Sequence, residues 1–290
     1  MPLVPRFLIG RVAARYVAGE TLDSALDTIR ELNADGARAT LDLLGEEVTD
    51  RAKAESATDE YIRVLEAIAS NGVDSNVSVK PTMLGLKIDE DFCGEQIERL
   101  VAAAAGHQNF VRLDMEDRTC TDGTLRIYHQ LRQRYSNVGV VLQAYMRRTL
   151  DDIAAVAGKG SNVRLCKGIY VEPRSVAWKG YETIRLNFLA ALEKLLRQGT
   201  YVGIATHDEY LACGAVALLD KLEVPRERYE FQMLLGVDGE LRRILLEGGH
   251  PLRVYVPYGR EWYAYSLRRL RENPEIARHV TMAMIRRRGL

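Results

Sequence analysis

Apolar residues along the chain follow two alternating patterns, one with a helical period and one typical of short buried strands. The first helical pattern covers residues 21–33, where Leu22, Leu26 and Ile29 share one face. Gly36 follows it, as expected for a glycine that ends a helix. Short apolar runs then alternate with longer helical patterns through the rest of the chain. Because strands separated by helices pair in parallel, this order predicts an α/β protein built on a parallel sheet.

The predicted strands are short apolar runs bounded by Gly, Pro or polar residues. They cover residues 37–44, 76–80, 110–114, 138–143, 162–167, 201–207, 229–232 and 252–255. Helical patterns follow them and end near residues 70, 105, 135, 156, 197, 222 and 247, and two more helices finish the chain. Repeated strand–helix units over about 250 residues favour a (β/α)8 TIM-type barrel. An open doubly wound sheet is the alternative, but no Gly-x-Gly-x-x-Gly motif follows the first strand.

No linker, composition change or low-complexity segment divides the chain. We therefore predict a single domain. Residues 1–36 are predicted to form an N-terminal helical extension, and residues 37–290 the (β/α)8 barrel, with a final helix covering the barrel mouth.

Composition narrows the class of protein. The 290 residues include 40 basic and 40 acidic side chains, so the net charge is zero and gives no indication of a nucleic-acid partner. Four cysteines lie far apart without a Cys-x-x-Cys motif, which predicts unpaired thiols, a reducing compartment and no metal site. No signal peptide and no apolar run of about eighteen residues is found, so we predict a cytoplasmic protein.

Polar side chains stand at or just after the ends of most predicted strands. They are Lys80, Asp114, Gln143, Arg164, Lys167, Thr206, His207, Asp208, Gln232 and Tyr255. In barrels of this type the active site lies at the C-terminal ends of the strands. Charged groups there are costly to bury unless they pair or meet a ligand, so we predict a ligand site at this mouth. Singly, such residues have ordinary explanations: Asp114 as a loop cap and His207 as a core histidine. The nearby Glu230 could likewise be a surface charge.

A helix predicted after residues 255–259 carries Tyr265, Arg268 and Arg269 within little more than one turn. Two adjacent guanidinium groups beside an aromatic ring suit a small carboxylate, because each can bind it through two parallel hydrogen bonds. With Lys80 they would surround an anion with three cations. A solvated arginine-rich face is the alternative interpretation. The apolar wall of the pocket is expected from Tyr255, Tyr265 and Leu234.

A second set of donors spans three neighbouring predicted strands and suits a larger ligand. It consists of Gln143, Arg164, Lys167, Gly168, Thr206 and His207. Lys167 and Gly168 can approach a phosphate closely, while Gln143 and Arg164 can hydrogen-bond a heteroaromatic ring. This spacing does not distinguish a phosphate-containing cofactor from a sugar-phosphate substrate.

Eight short stretches together carry a resemblance to a known family. They are residues 79–80 (VK), 111–117 (VRLDMED), 141–145 (VLQAY), 163–170 (VRLCKGIY), 205–208 (ATHD), 229–236 (YEFQMLLG), 254–259 (VYVPYG) and 265–272 (YSLRRLRE). Each is weak alone, but their common order is specific. The chain resembles monofunctional bacterial proline dehydrogenase, the flavin-dependent barrel that also forms one domain of bifunctional proline-utilisation proteins. The resemblance extends from about Tyr16 to about Pro274.

The resemblance implies oxidation of L-proline to Δ1-pyrroline-5-carboxylate, with FAD as the first electron acceptor and a quinone as the next. The implied substrate-binding residues are Lys80, Tyr170, Leu234, Tyr255, Tyr265, Arg268 and Arg269. The implied FAD-binding residues are Met115, Gln143, Arg164, Lys167, Gly168, Ile169, Thr206, His207 and Gln232. Arg164 near flavin N5 and Asp114, paired with a cation of the site, are the implied catalytic residues. Glu272 is expected to orient Arg268 from four residues away.

Ile169 replaces the small alanine common in the family, and a tyrosine at position 255 favours proline over hydroxyproline. The resemblance also implies peripheral association with a membrane surface and a pyrroline-5-carboxylate dehydrogenase as partner. Two other classes stay open at this point: a different flavin-dependent barrel, such as a folate-linked reductase, and a non-catalytic barrel that senses a carboxylate.

Overall fold

A computed structural model of the chain describes residues 15–263. It contains a closed barrel of eight parallel strands in sequence order, and β1 pairs with β8 to close it. The strands are β1 Arg38–Leu43, β2 Ser75–Val79, β3 Val111–Leu113, β4 Val138–Gln143, β5 Asn162–Cys166, β6 Tyr201–Ala205, β7 Tyr229–Leu234 and β8 Leu252–Tyr258. The predicted barrel fold is therefore confirmed.

The helices alternate with the strands. They are α1 Leu22–Ala34, α2 Arg51–Asn71, α3 Glu90–Gly106, α4 Thr121–Arg132, α5 Thr149–Val156, α6 Tyr181–Arg197, α7 Glu209–Lys221 and α8 Gly239–Glu247. Several predicted strand bounds were wrong: β3 is only three residues long, β6 ends at Ala205, β7 continues to Leu234 and β8 continues to Tyr258. β8 is longer because β1 pairs with it as far as Leu43 opposite Tyr258. The helix predicted to cover the mouth lies outside the described residues.

Helix α1 packs on the outside of the barrel over both β1 and β8. Thr21 caps its start by accepting a hydrogen bond from the Ser24 backbone N–H, and Ala25, Ile29 and Leu32 are buried. The chain just before α1 is joined to the end of β8, since the Ala18 N–H donates to Pro257 O at 2.8 Å. The helix therefore seals the seam where the first and last strands meet. The domain boundary at residue 36 stays a prediction.

The interior of the barrel is polar, whereas the outward faces of the strands are apolar and pack against the helices. The buried polar side chains with interior contacts are Thr40, Asp42, Ser78, Arg112, Arg164, Glu230, Gln232 and Arg253. Room for them comes from Gly139 and Gly203. A Cβ at Gly139 would lie 2.5 Å from Arg112 Nη1, and one at Gly203 would lie 2.5 Å from Gln232 Nε2.

Arg112 shows how such a group is accommodated. It is fully buried, and its Nη1 donates to the carbonyl oxygens of Val140 at 3.1 Å and Asn162 at 2.9 Å. Burial and the nearby Arg164 lower the pKa of Arg112 to about 9. Backbone carbonyls thus replace water around a charge that lies deep in the barrel.

Candidate active site

Arg164, on β5, is the centre of a hydrogen-bonded group at the barrel mouth. Its Nε donates to Gln232 Oε1, its Nη1 donates to Asp114 Oδ1 at 2.7 Å, and its Nη2 donates to Ser78 Oγ at 2.9 Å. The Tyr255 hydroxyl donates to the other oxygen of Asp114 at 2.7 Å. The Tyr255 ring lies 5.3 Å from the Arg164 guanidinium carbon. The two predicted catalytic residues, Asp114 and Arg164, are thus directly paired.

Lys80 forms a second ion pair beside this group. Its Nζ donates to Oδ1 of Asp42 at 2.5 Å, and Asp42 is completely buried at the end of β1. Burial alone would lower the pKa of Lys80, but Asp42 and Asp114 outweigh it and raise that pKa above its usual value. The lysine is therefore charged in the folded protein.

The two cations of the described site that lie nearest its mouth are each paired with a carboxylate. Lys80 is matched by Asp42, and Arg164 is matched by Asp114. Sequence analysis missed Asp42, so it left Lys80 as an available cation. The available signal was a lone carboxylate between Leu41 and Leu43 at the end of a predicted strand.

A second charged cluster lies at the ends of β5 and β6. Asp208 is buried, and it accepts hydrogen bonds from Lys167 Nζ at 3.2 Å, from Tyr181 OH at 2.8 Å and from Arg185 Nη2 at 2.7 Å. Burial favours the protonated acid, but these donors outweigh it and hold the pKa of Asp208 well below its usual value. Two cations thus contact one buried carboxylate, and Arg185 also pairs with the exposed Glu182 at 3.1 Å.

Gly168 occupies a position that no other residue fits without strain. Its φ is +107°, and a Cβ there would lie 2.1 Å from Cδ1 of the Tyr145 ring. The Tyr145 N–H donates to the carbonyl of Lys167 at 2.8 Å, so the ring and the backbone are held against each other. Ile169 and Tyr170 follow and are partly exposed.

Replacing Gly168 with alanine is expected to destabilise the protein by about 1–3 kcal/mol more than a matched control, because the added methyl group overpacks the Tyr145 contact. Gly36→Ala is the control, since its φ of +85° is also positive but nothing lies within 4 Å of the added Cβ. Urea unfolding of both variants measures the difference. Equal losses of stability in the two variants would show that the Tyr145 contact does not matter.

The loop after β5 is anchored by a buried carboxylate that sequence analysis did not single out. Glu172 accepts from the Arg118 backbone N–H at 2.7 Å and from Arg118 Nη1 at 2.9 Å. The segment that carries Tyr170 is therefore held close to the end of β3.

Thr206 and His207 organise the ends of β6 and β7. The Thr206 hydroxyl accepts from the Asp208 N–H at 3.1 Å. His207 Nε2 accepts from the Leu234 N–H at 2.8 Å, so the proton of the neutral ring is on Nδ1. His207 was predicted to bind FAD and Leu234 to bind the substrate, and the two residues lie side by side.

Gln143 is fixed at the end of β4. Its Nε2 donates to the backbone oxygen of Glu116 at 2.9 Å, and the adjacent Met115 is buried. The Glu116 carboxylate accepts from the backbone N–H of Thr82 at 2.9 Å and from its hydroxyl at 2.6 Å. Burial raises the pKa of Glu116 to about 7 in spite of these bonds. Thr82, Glu116 and Gln143 thus connect the segments that follow β2 and β3 to the end of β4.

Some predicted residues cannot be compared, and one interpretation was wrong. Tyr265, Arg268, Arg269 and Glu272 lie outside the described residues. Glu230 is not a surface charge: it is 2% exposed, and its Oε1 accepts from Arg253 Nε at 2.7 Å. Within residues 15–263, no group of three or more His, Cys, Asp and Glu side chains is placed to bind a metal ion. No helix in that part of the chain is long and apolar enough to cross a membrane.

Solved structures share this architecture. Proline utilization A (PutA) from Bdellovibrio bacteriovorus superposes with a TM-score of 0.83 at 23% identity, over 90% of this chain and 32% of that one. PutA from Corynebacterium freiburgense superposes with a TM-score of 0.77 over 94% of this chain and 32% of that one. The chain thus spans about a third of the length of these structures, and at this identity the likeness concerns the fold.

Sequence comparison identifies the family. The family model for proline dehydrogenase matches residues 25–282. Proline dehydrogenase 1 of Bacillus subtilis is 34% identical over 275 residues, covering 95% of this chain and 91% of the relative. Proline dehydrogenase of Deinococcus radiodurans is 36% identical over 282 residues, covering 95% and 90%. The chain therefore belongs to the proline dehydrogenase family, and its reaction is the oxidation of proline, the first step of proline catabolism.

Proposed function

We propose that this enzyme oxidises L-proline to Δ1-pyrroline-5-carboxylate with FAD as the first electron acceptor, and that a quinone takes the electrons from the reduced flavin. The observation that carries this proposal is the group formed by Arg164, Asp114 and Tyr255 at the barrel mouth. Donor side chains on the neighbouring strands β4 to β6 adjoin this group. The small substrate and the larger cofactor would therefore both enter through the barrel mouth.

The donor set suits FAD. Within residues 15–263, Gln232, Asp114 and Ser78 use three of the five N–H groups of Arg164, which leaves one on each terminal nitrogen for acceptor atoms of a flavin ring. Lys167 and Arg185, which both contact Asp208, are donors that suit a pyrophosphate. The proposed FAD-binding residues are Met115, Gln143, Arg164, Lys167, Gly168, Ile169, Thr206 and His207.

The substrate carboxylate needs positive charge beyond that of Lys80 and Arg164, which are already matched by carboxylates. Arg268 and Arg269 supply it in this proposal, with Glu272 orienting Arg268. The proposed ring contacts are Tyr170, Leu234, Tyr255 and Tyr265. Tyr255 suits this role because its hydroxyl is bound to Asp114, which fixes the plane of its ring.

FAD, when bound, would supply at N5 the two-electron acceptor for the hydride that leaves Cδ of proline as the amine loses a proton. The residues of the chain position the reactants. The arginines and Lys80 hold the remote carboxylate, and this binding energy keeps Cδ in a reactive geometry. Nearby cations also favour the deprotonated amine. Arg164 keeps a positive charge where electron density arrives, and Asp114 holds Arg164 in place.

The visible spectrum of the purified enzyme, recorded without oxygen before and after addition of L-proline, tests the proposal. An oxidised flavin band near roughly 450 nm is expected to bleach with proline. A flavin band that does not change when proline is added would contradict the proposed substrate. The absence of a flavin band after reconstitution with FAD would contradict the proposed cofactor. Mass spectrometry of the released flavin distinguishes FAD from FMN.

The electron acceptor needs its own measurement. After bleaching by proline, a soluble quinone analogue is expected to restore the flavin band without oxygen. A band that stays bleached would contradict the quinone step and leave proline oxidation intact. Association with a membrane surface and with a pyrroline-5-carboxylate dehydrogenase stays a prediction from the resemblance.

A further inference from the structure

We propose that Gln232 is a positioning residue for Arg164 rather than a contact of the cofactor, and that the buried Glu230–Arg253 ion pair beneath it fixes its orientation. The inference rests on the proposed function, because that proposal places Arg164 in contact with the flavin. The residues involved lie on β5, β7 and β8, inside the barrel.

Both ends of the Gln232 side chain are engaged. Its Oε1 accepts from Arg164 Nε, and its Nε2 donates to Glu230 Oε1 at 2.7 Å. Glu230 is two residues earlier on the same strand, so both side chains point into the barrel. Gln232 is 5% exposed, which leaves little of it available to a ligand.

The orientation of the amide follows from the chemistry of its partners. A guanidinium only donates hydrogen bonds, and an ionised carboxylate only accepts them. A reversed amide would place its NH₂ against the Arg164 N–H and its oxygen against Glu230. Glu230 therefore selects the one orientation that presents an acceptor to Arg164.

Glu230 can do this because it is ionised. Arg253 Nε donates to the same carboxylate oxygen at 2.7 Å, and Arg253 Nη1 donates to Ala39 O at 2.6 Å. Burial would raise the pKa of Glu230, but the attraction of Arg253 outweighs it and lowers that pKa. The carboxylate thus remains charged inside the protein.

The arrangement also requires space on the adjacent strand. Gly203, on β6, lies between β5 and β7 and contributes no side chain, and a Cβ there would come within 2.5 Å of Gln232 Nε2. Arg164 is consequently held from three directions: by Gln232, by Asp114 and by Ser78. A guanidinium with three fixed N–H bonds has a fixed plane.

Gln232→Met tests the inference, because it keeps the volume and the Glu230–Arg253 pair but removes the acceptor. Flavin content is expected to stay near wild type while kcat for proline falls about tenfold to a hundredfold, the range for partners that orient a site's ligands. The two-electron potential of the flavin is expected to fall as Arg164 loses its fixed position.

Gln96→Met is the matched control. Gln96 is also buried, at 5% exposed, and also accepts from an arginine, Arg99 Nη1 at 2.7 Å, but it lies on α3 outside the barrel. Its kcat and flavin potential are expected to match wild type. Equal kcat values and equal flavin potentials in Gln96→Met and Gln232→Met would overturn the inference.

The pH dependence of the activity of Gln232→Glu is a further measurement. It would not change if Gln232 had only a structural role. A protonated carboxylic acid can donate to Glu230 and accept from Arg164, as the amide does, whereas the ionised form repels Glu230 and Asp114 although it attracts Arg164 and Arg253. Its activity relative to wild type is expected to rise as pH falls. A ratio that is independent of pH would contradict the inference.

NMR of ¹⁵N-arginine-labelled protein separates failure of this inference from failure of the proposed function. The Arg164 Nε–H signal, assigned by its loss in Arg164→Met, is expected to resist solvent exchange in wild type and Gln96→Met but not in Gln232→Met. This result does not require proline turnover. An equally protected signal in Gln232→Met would overturn the inference even if the enzyme oxidises proline.

Discussion

Asp42→Asn is expected to lower the free energy of unfolding by about 3–5 kcal/mol, because it leaves a buried ammonium group without its carboxylate. Asp42 is completely buried, and Lys80, its partner at 2.5 Å, is 9% exposed. Water cannot replace the lost charge at such a position, so Lys80 must either remain unpaired or release its proton. Urea unfolding at pH 7 measures the effect.

Two further variants define the cause. Asp27→Asn removes the carboxylate of an exposed pair with Arg30, whose side chains are 72% and 48% exposed, and is expected to cost less than about 1 kcal/mol. Combining Asp42→Asn with Lys80→Met removes both buried charges and is expected to recover most of the lost stability. If the double variant is no more stable than Asp42→Asn, the loss comes from packing and not from the ion pair.

Arg268→Met and Arg269→Met are each expected to reduce kcat/KM for proline by about 2–5 kcal/mol of transition-state stabilisation. This corresponds to a loss of roughly thirtyfold to several thousandfold. The physical reason is that Lys80 and Arg164 are both already matched by carboxylates. Without an arginine, the substrate carboxylate would enter a site with too little positive charge.

Steady-state kinetics with equal flavin content test this expectation. Arg126→Met is the control, since Arg126 is exposed and pairs only with Glu90 among the described residues. Pyrrolidine, which has the ring but no carboxylate, is expected to react at similar rates with wild type and both variants. Near-normal kcat/KM for proline in both variants would contradict the assignment of these arginines to the substrate site.

The fold was predictable because it depends on patterns that the chain repeats. Apolar strands alternate with amphipathic helices, and a glycine such as Gly36, with its positive φ, marks the end of α1. The polar strand ends lie at one mouth of the barrel, since all parallel strands of a barrel finish on the same face. The family resemblance then supplied the substrate, proline, which spacing alone left open.

The partners of two buried charges, Lys80 and Glu230, were not predictable. Asp42 lies within an apolar strand and belongs to no motif, so only the register of β1 beside β2 brings it to Lys80. Glu230 alternates with apolar residues, a pattern that usually indicates a solvated face. In a closed barrel that face is the interior, where a carboxylate needs the buried Arg253 as its partner. Such long-range partners are set by tertiary structure.

The position of α1 has a consequence for the order in which the protein is assembled during synthesis. α1 leaves the ribosome before any strand, yet the surface that it covers includes β8, the last strand to be made. Its apolar face must therefore wait for a partner that is very distant in sequence, an arrangement that slows folding. Docking of α1 and closure of the barrel then become one late event. Amides in α1 and β8 are expected to gain protection from hydrogen exchange together, after those of the central strands.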